Sequence, residues 1–124
     1  MSGTSHDGVD AVLADVTRTR GTFAVDQHAF ASYPYSRSFR ARLLELSQGA
    51  SVGAREVSRM NVLLGQHFAR AVKKLCHMAE VPLEKIDVIG SHGHTVYHRP
   101  KERPGPGSTL QIGEPSVIAN HTGI

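Results

Sequence analysis

The feature that most constrains the fold is the apolar periodicity of residues 54–79. Apolar side chains recur there at spacings of three and four residues, which places them on one side of an α-helix. The set consists of Val57, Met60, Leu64, Phe68, Ala71, Leu75 and Met78. We therefore predict a long amphipathic helix that packs on a core, and we assign its methionine and phenylalanine side chains to packing.

Strand-like stretches precede this helix. Residues 9–16 and 22–31 are apolar or β-branched, and Gly21 between them suits a tight turn, so the pattern predicts a β-hairpin. Tyr33 and Pro34 end the second strand, because proline lacks the N–H that a ladder needs. Ser36 is then a suitable N-cap for a short helix with Phe39, Leu43 and Leu46 on one face.

Shorter elements follow the long helix. Pro82 closes it, and residues 86–89 predict a buried strand, so a helix leading into a strand indicates a crossover within one sheet. Residues 99–108 hold several prolines and glycines and predict a surface loop. Residues 109–112 predict one more strand. Pro115 suits the first turn of a final helix, with Glu114 beside its positive end.

Length and composition bound the class of protein. The 124 residues fit one domain or half of a larger one, and 40% hydrophobic residues are enough for a packed core. No apolar run has the length of a bilayer span, and Cys76 as the single cysteine cannot form an intrachain disulfide. The net charge is only +3, and the positive residues are spread along the chain. A nucleic-acid binder would instead show them clustered on one surface. We predict an α/β protein of a reducing compartment.

The N-terminal segment MSGTSHDGVD is the first candidate site. Glycine allows backbone N–H groups to approach a phosphate, hydroxyl groups add donors, and carboxylates can hold hydrated Mg²⁺. The residues concerned are Gly3, Thr4, Ser5, Asp7, Gly8 and Asp10. The alternative is an ordinary N-terminus with turn residues.

Residues 90–95, GSHGHT, follow the predicted strand 86–89 and form the second candidate site. The carboxyl end of a strand is where α/β proteins place ligand-binding groups. One interpretation is a zinc hydrolase that uses His92, His94 and His98, since imidazole suits Zn²⁺. The other is a polar loop with ordinary hydrogen-bonding histidines.

Residues 111–115, QIGEP, pass from a predicted strand into a predicted helix and form the third candidate site. The amides of a helix N-terminus there could bind an anion or sugar hydroxyl groups. A plain strand-to-helix turn with a capping carboxylate explains the same residues equally well.

These three segments, MSGTSHDGVD, IGSHGHTVYHRP and TLQIGEPSVIANHTGI, resemble in order and spacing the anhydro-N-acetylmuramic acid kinases. The resemblance covers nearly the whole chain and includes Tyr33-Pro34 and the stretch from Leu64 to Ala71. It implies half of a ribonuclease-H-like fold of the actin, Hsp70 and hexokinase superfamily, with a mixed sheet and helices. It also implies a cytoplasmic enzyme of cell-wall sugar recycling and, for the full-length protein, a homodimer.

The resemblance further implies the reaction. Such enzymes use ATP and Mg²⁺ to open the 1,6-anhydro ring of the sugar with water and to phosphorylate O6. On this basis Gly3, Thr4, Ser5, Asp7, Gly8 and Asp10 would hold the ATP phosphates, with Asp7 and Asp10 near Mg²⁺. The sugar would lie near His92, Gly93, Thr95 and Gln111. Catalysis would then consist mainly of positioning and charge neutralisation.

The chain also departs from the pattern that it resembles. His6 stands where an apolar residue is usual, Asn61 where aspartate is usual, and His94 where glutamine is usual. We expect His94 to alter sugar contacts, since imidazole lacks the paired donor and acceptor of an amide. The strand before the phosphate loop, the catalytic aspartate and the second domain of such kinases have no counterpart in residues 1–124. We therefore expect a partial N-terminal domain that is inactive by itself, with a basic binding module as a further alternative.

Overall fold

The computed structural model describes residues 2, 6–48, 52–101 and 105–124 and has an α/β fold. In chain order its elements are β1 (Gly8–Thr19), β2 (Thr22–Pro34), α1 (Arg37–Ser47), α2 (Ala54–Met78), a 3₁₀ turn (Leu83–Lys85), β3 (His94–Arg99), β4 (Ser108–Ile112) and α3 (Pro115–Thr122). In the described residues the strands form two separate antiparallel pairs, β1 with β2 and β3 with β4. The α/β prediction is confirmed, whereas a single mixed sheet is not found in these ranges.

The predicted hairpin is confirmed and is longer than expected. β1 and β2 pair antiparallel from Gly8 opposite Pro34 to Thr19 opposite Thr22, and Gly21 takes a positive φ of 87° in the turn. The second strand ends at Tyr33 and Pro34 as predicted, although it includes both residues and so extends beyond Ala31. Pro34 is tolerated as the terminal residue of a strand because its missing N–H interrupts no further ladder bond.

The long helix α2 is confirmed and provides the centre of the core. Met60 and Leu64 are fully buried, and Phe68, Ala71 and Leu75 are nearly so, as the periodicity predicts. Val9 of β1, Leu43 of α1 and Ile118 of α3 belong to the same cluster. Met78 is the exception, with 57% of its surface exposed, because it is the last residue of the helix.

Both shorter helices begin where the capping residues predict. The side chain of Ser36 accepts a hydrogen bond from Phe39 N at 3.2 Å, which caps α1. The carboxylate of Glu114 accepts from Ser116 N, and Pro115 occupies the first turn of α3. Gly123 ends α3 with a positive φ of 80°. Among the described residues no helix combines the length and the apolar character of a bilayer span.

The predicted strand at residues 86–89 was wrong. This segment is irregular in the structure, and Val88 is 76% exposed. A strand needs a neighbour about 4.8 Å away to complete its hydrogen bonds, and here the segment lines a cavity of about 600 Å³ together with β1 and α2. The crossover that we predicted within one sheet is consequently not formed. The strand β3 instead begins at His94, within residues 90–95, for which a polar loop was one of the two interpretations, and it pairs with β4.

Candidate functional site

The described part of the first predicted loop is the entrance to β1. Asp7 and Asp10 are both exposed, and Asp10 accepts a hydrogen bond from the hydroxyl of Ser32 on β2. The backbone oxygen of Asp7 accepts from Tyr35 N at 2.9 Å, which fixes the start of the hairpin. Gly3, Thr4 and Ser5 lie outside the described residues, so their assignment to the ATP phosphates stays a prediction.

Gly8 is required by the close packing of the two hairpin strands. A Cβ atom at this position would lie 2.5 Å from the backbone oxygen of Tyr33 on the neighbouring strand. Only glycine allows the two strands to approach so closely here. The residue therefore shapes the loop through backbone contact.

The predicted sugar-side residues lie at the start of β3 and the end of β4. Thr95 pairs with Gln111 across this hairpin, and Gln111 Nε2 lies 3.4 Å from Thr95 Oγ1. Both side chains are half-buried, while His92 is exposed. Gly93 has a φ of 75°, and a Cβ atom there would lie 2.8 Å from Ile112 O. The structure thus brings Gly93, Thr95 and Gln111 together.

The N-terminal segment and β3 meet directly. Ser2 forms an isolated parallel bridge with His94, although the two residues are far apart in the sequence. Their side chains are also joined, with Ser2 Oγ 2.8 Å from His94 Nδ1. The two predicted loops are therefore neighbours in space.

A buried row of polar side chains runs through this contact. Tyr35 Oη donates to Ser2 Oγ at 2.9 Å, and His94 Nε2 lies 2.8 Å from His6 Nδ1. All four residues are buried, and His94 is completely inaccessible to solvent. We call Tyr35, Ser2, His94 and His6 the buried polar chain. Both ring nitrogens of His94 therefore have protein partners, and its expected effect on the sugar contacts stays a prediction.

Burial keeps the ionisable members of the buried polar chain neutral. It lowers the pKa of His94 to about 4, and the neighbouring ring of His6 contributes to this shift. Burial also lowers the pKa of His6, with Arg40 acting in the same direction and Asp7 against it. Burial raises the pKa of Tyr35 to about 12. At neutral pH the buried polar chain therefore carries no net charge.

The zinc hydrolase interpretation is not supported. His94 is buried and bonded to Ser2 and His6, whereas His92 and His98 are exposed. Within the described ranges no group of three histidine, cysteine, aspartate or glutamate side chains could hold a metal ion. A zinc site needs at least three such ligands that converge on one point.

The third predicted loop is held by Asn61 of α2. Asn61 Oδ1 accepts from Gly113 N at 2.6 Å, and Asn61 Nδ2 donates to Glu114 Oε2 at 2.9 Å. Glu114 N donates back to the backbone oxygen of Asn61 at 3.0 Å. Hydrogen bonds from Ser116, followed by the one from Asn61, lower the pKa of Glu114. Glu114 is thus a capping and bracing residue, as the plain-turn alternative predicts.

Sequence reasoning missed several residues that organise this region. His6 and Asn61 drew attention only as departures from a resemblance, and His94 also as a candidate zinc ligand. Ser2 and Tyr35 gave no signal. Their contacts join positions that lie far apart in the sequence, which no local pattern reveals. The cavity beside β1 contains none of the predicted site residues.

Comparison with known proteins defines the class of this α/β chain. Residues 1–124 match the family described as anhydro-N-acetylmuramic acid kinase. An anhydro-N-acetylmuramic acid kinase of Caldanaerobacter subterraneus subsp. tengcongensis is 42% identical over 128 residues, which cover 100% of this chain and 32% of that protein. Kinases with the same name from Bacillus cereus strain G9842 and Bacillus anthracis are 37% and 38% identical over 123 residues, covering 98% of this chain and 32% of each.

The chain therefore falls within a class of kinases. In particular, it belongs to the anhydro-N-acetylmuramic acid kinase family, as the resemblance implies. It spans about a third of the length of the curated relatives that it matches.

Proposed function

We propose that this chain supplies part of the N-terminal domain of an ATP-dependent kinase that acts on 1,6-anhydro-N-acetylmuramic acid. The observation that carries the proposal is the family match over all of residues 1–124. A structural relationship supports it. The predicted nucleotide segment and the predicted sugar strand, which are distant in sequence, adjoin through Ser2 and His94.

The proposed reaction combines hydrolysis with phosphoryl transfer. Water adds to C1 of the sugar and the C1–O6 bond breaks. O6 then bonds to the γ-phosphorus of ATP, the phosphoanhydride bond breaks, and ADP and N-acetylmuramic acid 6-phosphate leave. The proton lost by the water goes to a general base, which we assign to no residue of this chain. In such a reaction the protein contributes mainly positioning and charge neutralisation.

The residues at the start of β1 fit the nucleotide side of this proposal. Asp7 and Asp10 are exposed carboxylates near the first residues of the strand, and hard oxygen ligands of this kind suit Mg²⁺. Mg²⁺, when bound, would neutralise phosphate charge. Gly3, Thr4, Ser5 and Gly8 would provide backbone and hydroxyl donors to the phosphates.

The sugar side would be the β3–β4 hairpin. Thr95 and Gln111 face one another there and offer hydroxyl and amide groups, which are suited to sugar hydroxyl groups. His92 is exposed beside them, and Gly93 permits the tight approach to Ile112. The proposal includes a ribonuclease-H-like two-domain fold, a cytoplasmic location and a homodimer for the full-length protein, all of which rest on the family.

A chimeric enzyme tests the proposal. This chain would replace the matching third of the Caldanaerobacter relative, and the purified chimera would receive ATP, Mg²⁺ and the anhydro sugar. We expect ADP and N-acetylmuramic acid 6-phosphate in equal amounts. Residues 1–124 alone are expected to form neither.

Matched carboxylate variants sharpen this experiment. Asp7→Asn and Asp10→Asn should lower the activity of the chimera by at least tenfold, whereas Asp26→Asn, an exposed carboxylate on β2, should leave it unchanged. An inactive chimera that folds would contradict the proposed function. Full activity in Asp7→Asn and Asp10→Asn would contradict only the assignment of these two residues.

A further inference from the structure

The buried polar chain connects three segments that have no local relationship. Ser2 and His6 belong to the N-terminal segment, Tyr35 stands between β2 and α1, and His94 opens β3. The three contacts measure 2.9, 2.8 and 2.8 Å. Buried polar groups that are fully hydrogen-bonded hold their segments in one arrangement, because breaking any contact leaves a group unsatisfied.

The number of available hydrogens sets the direction of the hydrogen bonds in the buried polar chain. Tyr35 Oη donates its hydrogen to Ser2 Oγ, so the hydrogen of Ser2 can go to His94 Nδ1. A neutral imidazole carries one proton, and His94 must then carry it on Nε2 and donate it to His6 Nδ1. The opposite direction would leave the hydroxyl hydrogen of Ser2, which is only 3% exposed, without this acceptor.

Because His94 and Thr95 are consecutive residues of β3, the hydrogen bonds of His94 also affect the position of Thr95. His94 points inward and Thr95, the next residue of β3, is half-buried on the other face. Anchoring His94 therefore also fixes how Thr95 meets Gln111. At the other end, His6 directly precedes Asp7, and β1 begins at the next residue, Gly8.

We propose that His94, held as the Nε2–H tautomer by Ser2 and His6, is a positioning residue that locks the N-terminal segment against the strand bearing Thr95. His94 touches neither substrate in this role. Nucleotide bound by the N-terminal segment then changes the arrangement of β3, the strand that bears Thr95, through the hydrogen bonds of His94 to Ser2 and His6. This last consequence rests on the proposed function, whereas the tautomer and the lock do not.

The tautomer can be measured directly on the 124-residue chain. In ¹⁵N-labelled protein at neutral pH, long-range ¹H–¹⁵N correlations distinguish the protonated from the bare ring nitrogen. We expect a single tautomer of His94 with the proton on Nε2. A proton on Nδ1, or an average of the two tautomers, would overturn the proposal without the need for any variant.

Ser2→Ala tests the lock. Without the donor at Ser2, we expect the tautomers of His94 to average and the backbone amide resonances to move both at residues 6–8 and at residues 93–96. His98→Ala is the matched control, since His98 is an exposed histidine on the same strand. Changes confined to the N-terminal segment in Ser2→Ala would contradict the lock.

Nucleotide binding tests the consequence for the sugar strand. Adding Mg²⁺ and the non-hydrolysable analogue AMP-PNP should shift the amide resonances of Thr95 and Val96 in the unmodified chain. In Ser2→Ala the affinity for the analogue should fall roughly fivefold, as expected for the loss of one buried hydrogen bond. Shifts restricted to residues 6–10 would overturn the coupling. Complete lack of binding would instead count against the proposed function. The measured tautomer of His94 would then still test whether His94 holds the N-terminal segment against β3.

Discussion

Asn61 Nδ2 lies 2.9 Å from Glu114 Oε2, so the N-terminal third of α2 is bonded to the residue that caps α3. The other amide atom, Oδ1, accepts from Gly113 N. The amide of Asn61 suits this arrangement, because it can donate to a carboxylate and accept from a backbone N–H at the same time.

Replacing Asn61 by aspartate should weaken the fold. The variant Asn61→Asp keeps an acceptor for Gly113 but turns a second carboxylate toward Glu114, where the amide donated. We expect the melting temperature at pH 7 to fall by several degrees and the deficit to shrink in acid, where carboxylates become protonated. Asn120→Asp, an exposed change on α3, is the control. Equal melting temperatures for the two variants would contradict this explanation.

The buried imidazole of His94 should make stability depend on pH. Its pKa is lowered by burial to about 4 in the folded chain, against 6.5 for the free side chain. Between these two pKa values the unfolded state binds more protons than the folded state. The free energy of unfolding therefore rises with pH in this range, and the rise that His94 causes ends above about pH 6.5.

Denaturant titrations between pH 4 and pH 7 would measure this dependence. His94→Asn removes the titrating group, and its stability should vary less over the same range than that of the unmodified chain. His98→Ala, which removes an exposed histidine from the same strand, should retain the full variation. Parallel curves for His94→Asn and the unmodified chain would show that His94 is not the source.

Gly93→Ala should destabilise the chain for two reasons. The φ of 75° disfavours a side chain, and the new Cβ would lie 2.8 Å from Ile112 O. We expect a loss of about 1–3 kcal/mol in the free energy of unfolding, measured by urea denaturation. Gly90→Ala is the matched control, because a Cβ there meets no heavy atom within 4 Å. A loss of similar size at Gly90 would contradict the steric argument.

The β1–β2 hairpin presents an apolar face that should favour self-association. Val12 pairs with Phe30 and Val16 with Val25, so these side chains share one face, and each is 54–67% exposed. Apolar patches of this kind promote contact between molecules. We expect Val16→Lys to lower the average mass seen by sedimentation at high protein concentration.

Thr17→Lys supplies the comparison for this experiment. Thr17 is the next residue along β1, is exposed, and points to the other face of the hairpin. Thr17→Lys therefore adds the same charge as Val16→Lys and leaves the apolar face unchanged. If both variants reduced association equally, net charge rather than the apolar face would be the cause.

Local sequence signals predicted the elements that depend on local physics. The spacing of Met60, Leu64 and Phe68 predicted α2, and Ser36 and Pro115 predicted the beginnings of two helices. The prediction of a strand at residues 86–89 was wrong because an apolar run becomes a strand only where a partner strand is present. β3 could have been found from Thr95, Val96 and Tyr97, since β-branched and aromatic residues favour strands.

The candidate site was predictable only in part. Residue types and spacing drew attention to Thr95 and Gln111, which do meet across the β3–β4 hairpin. They could not reveal that His94 is bonded to Ser2 and His6, because those contacts depend on how the N-terminal segment packs. Tertiary hydrogen bonds of this kind leave no periodic trace in a sequence.

The buried polar chain has a consequence for how this protein can change over evolutionary time. Each inner member serves two neighbours, so one substitution at Ser2 or His94 leaves a buried partner without its hydrogen bond. Viable histories would therefore pass through coordinated replacements at Ser2, His6, Tyr35 and His94. These four positions are expected to covary as a group among close relatives, even though the sequence spreads them across most of the chain.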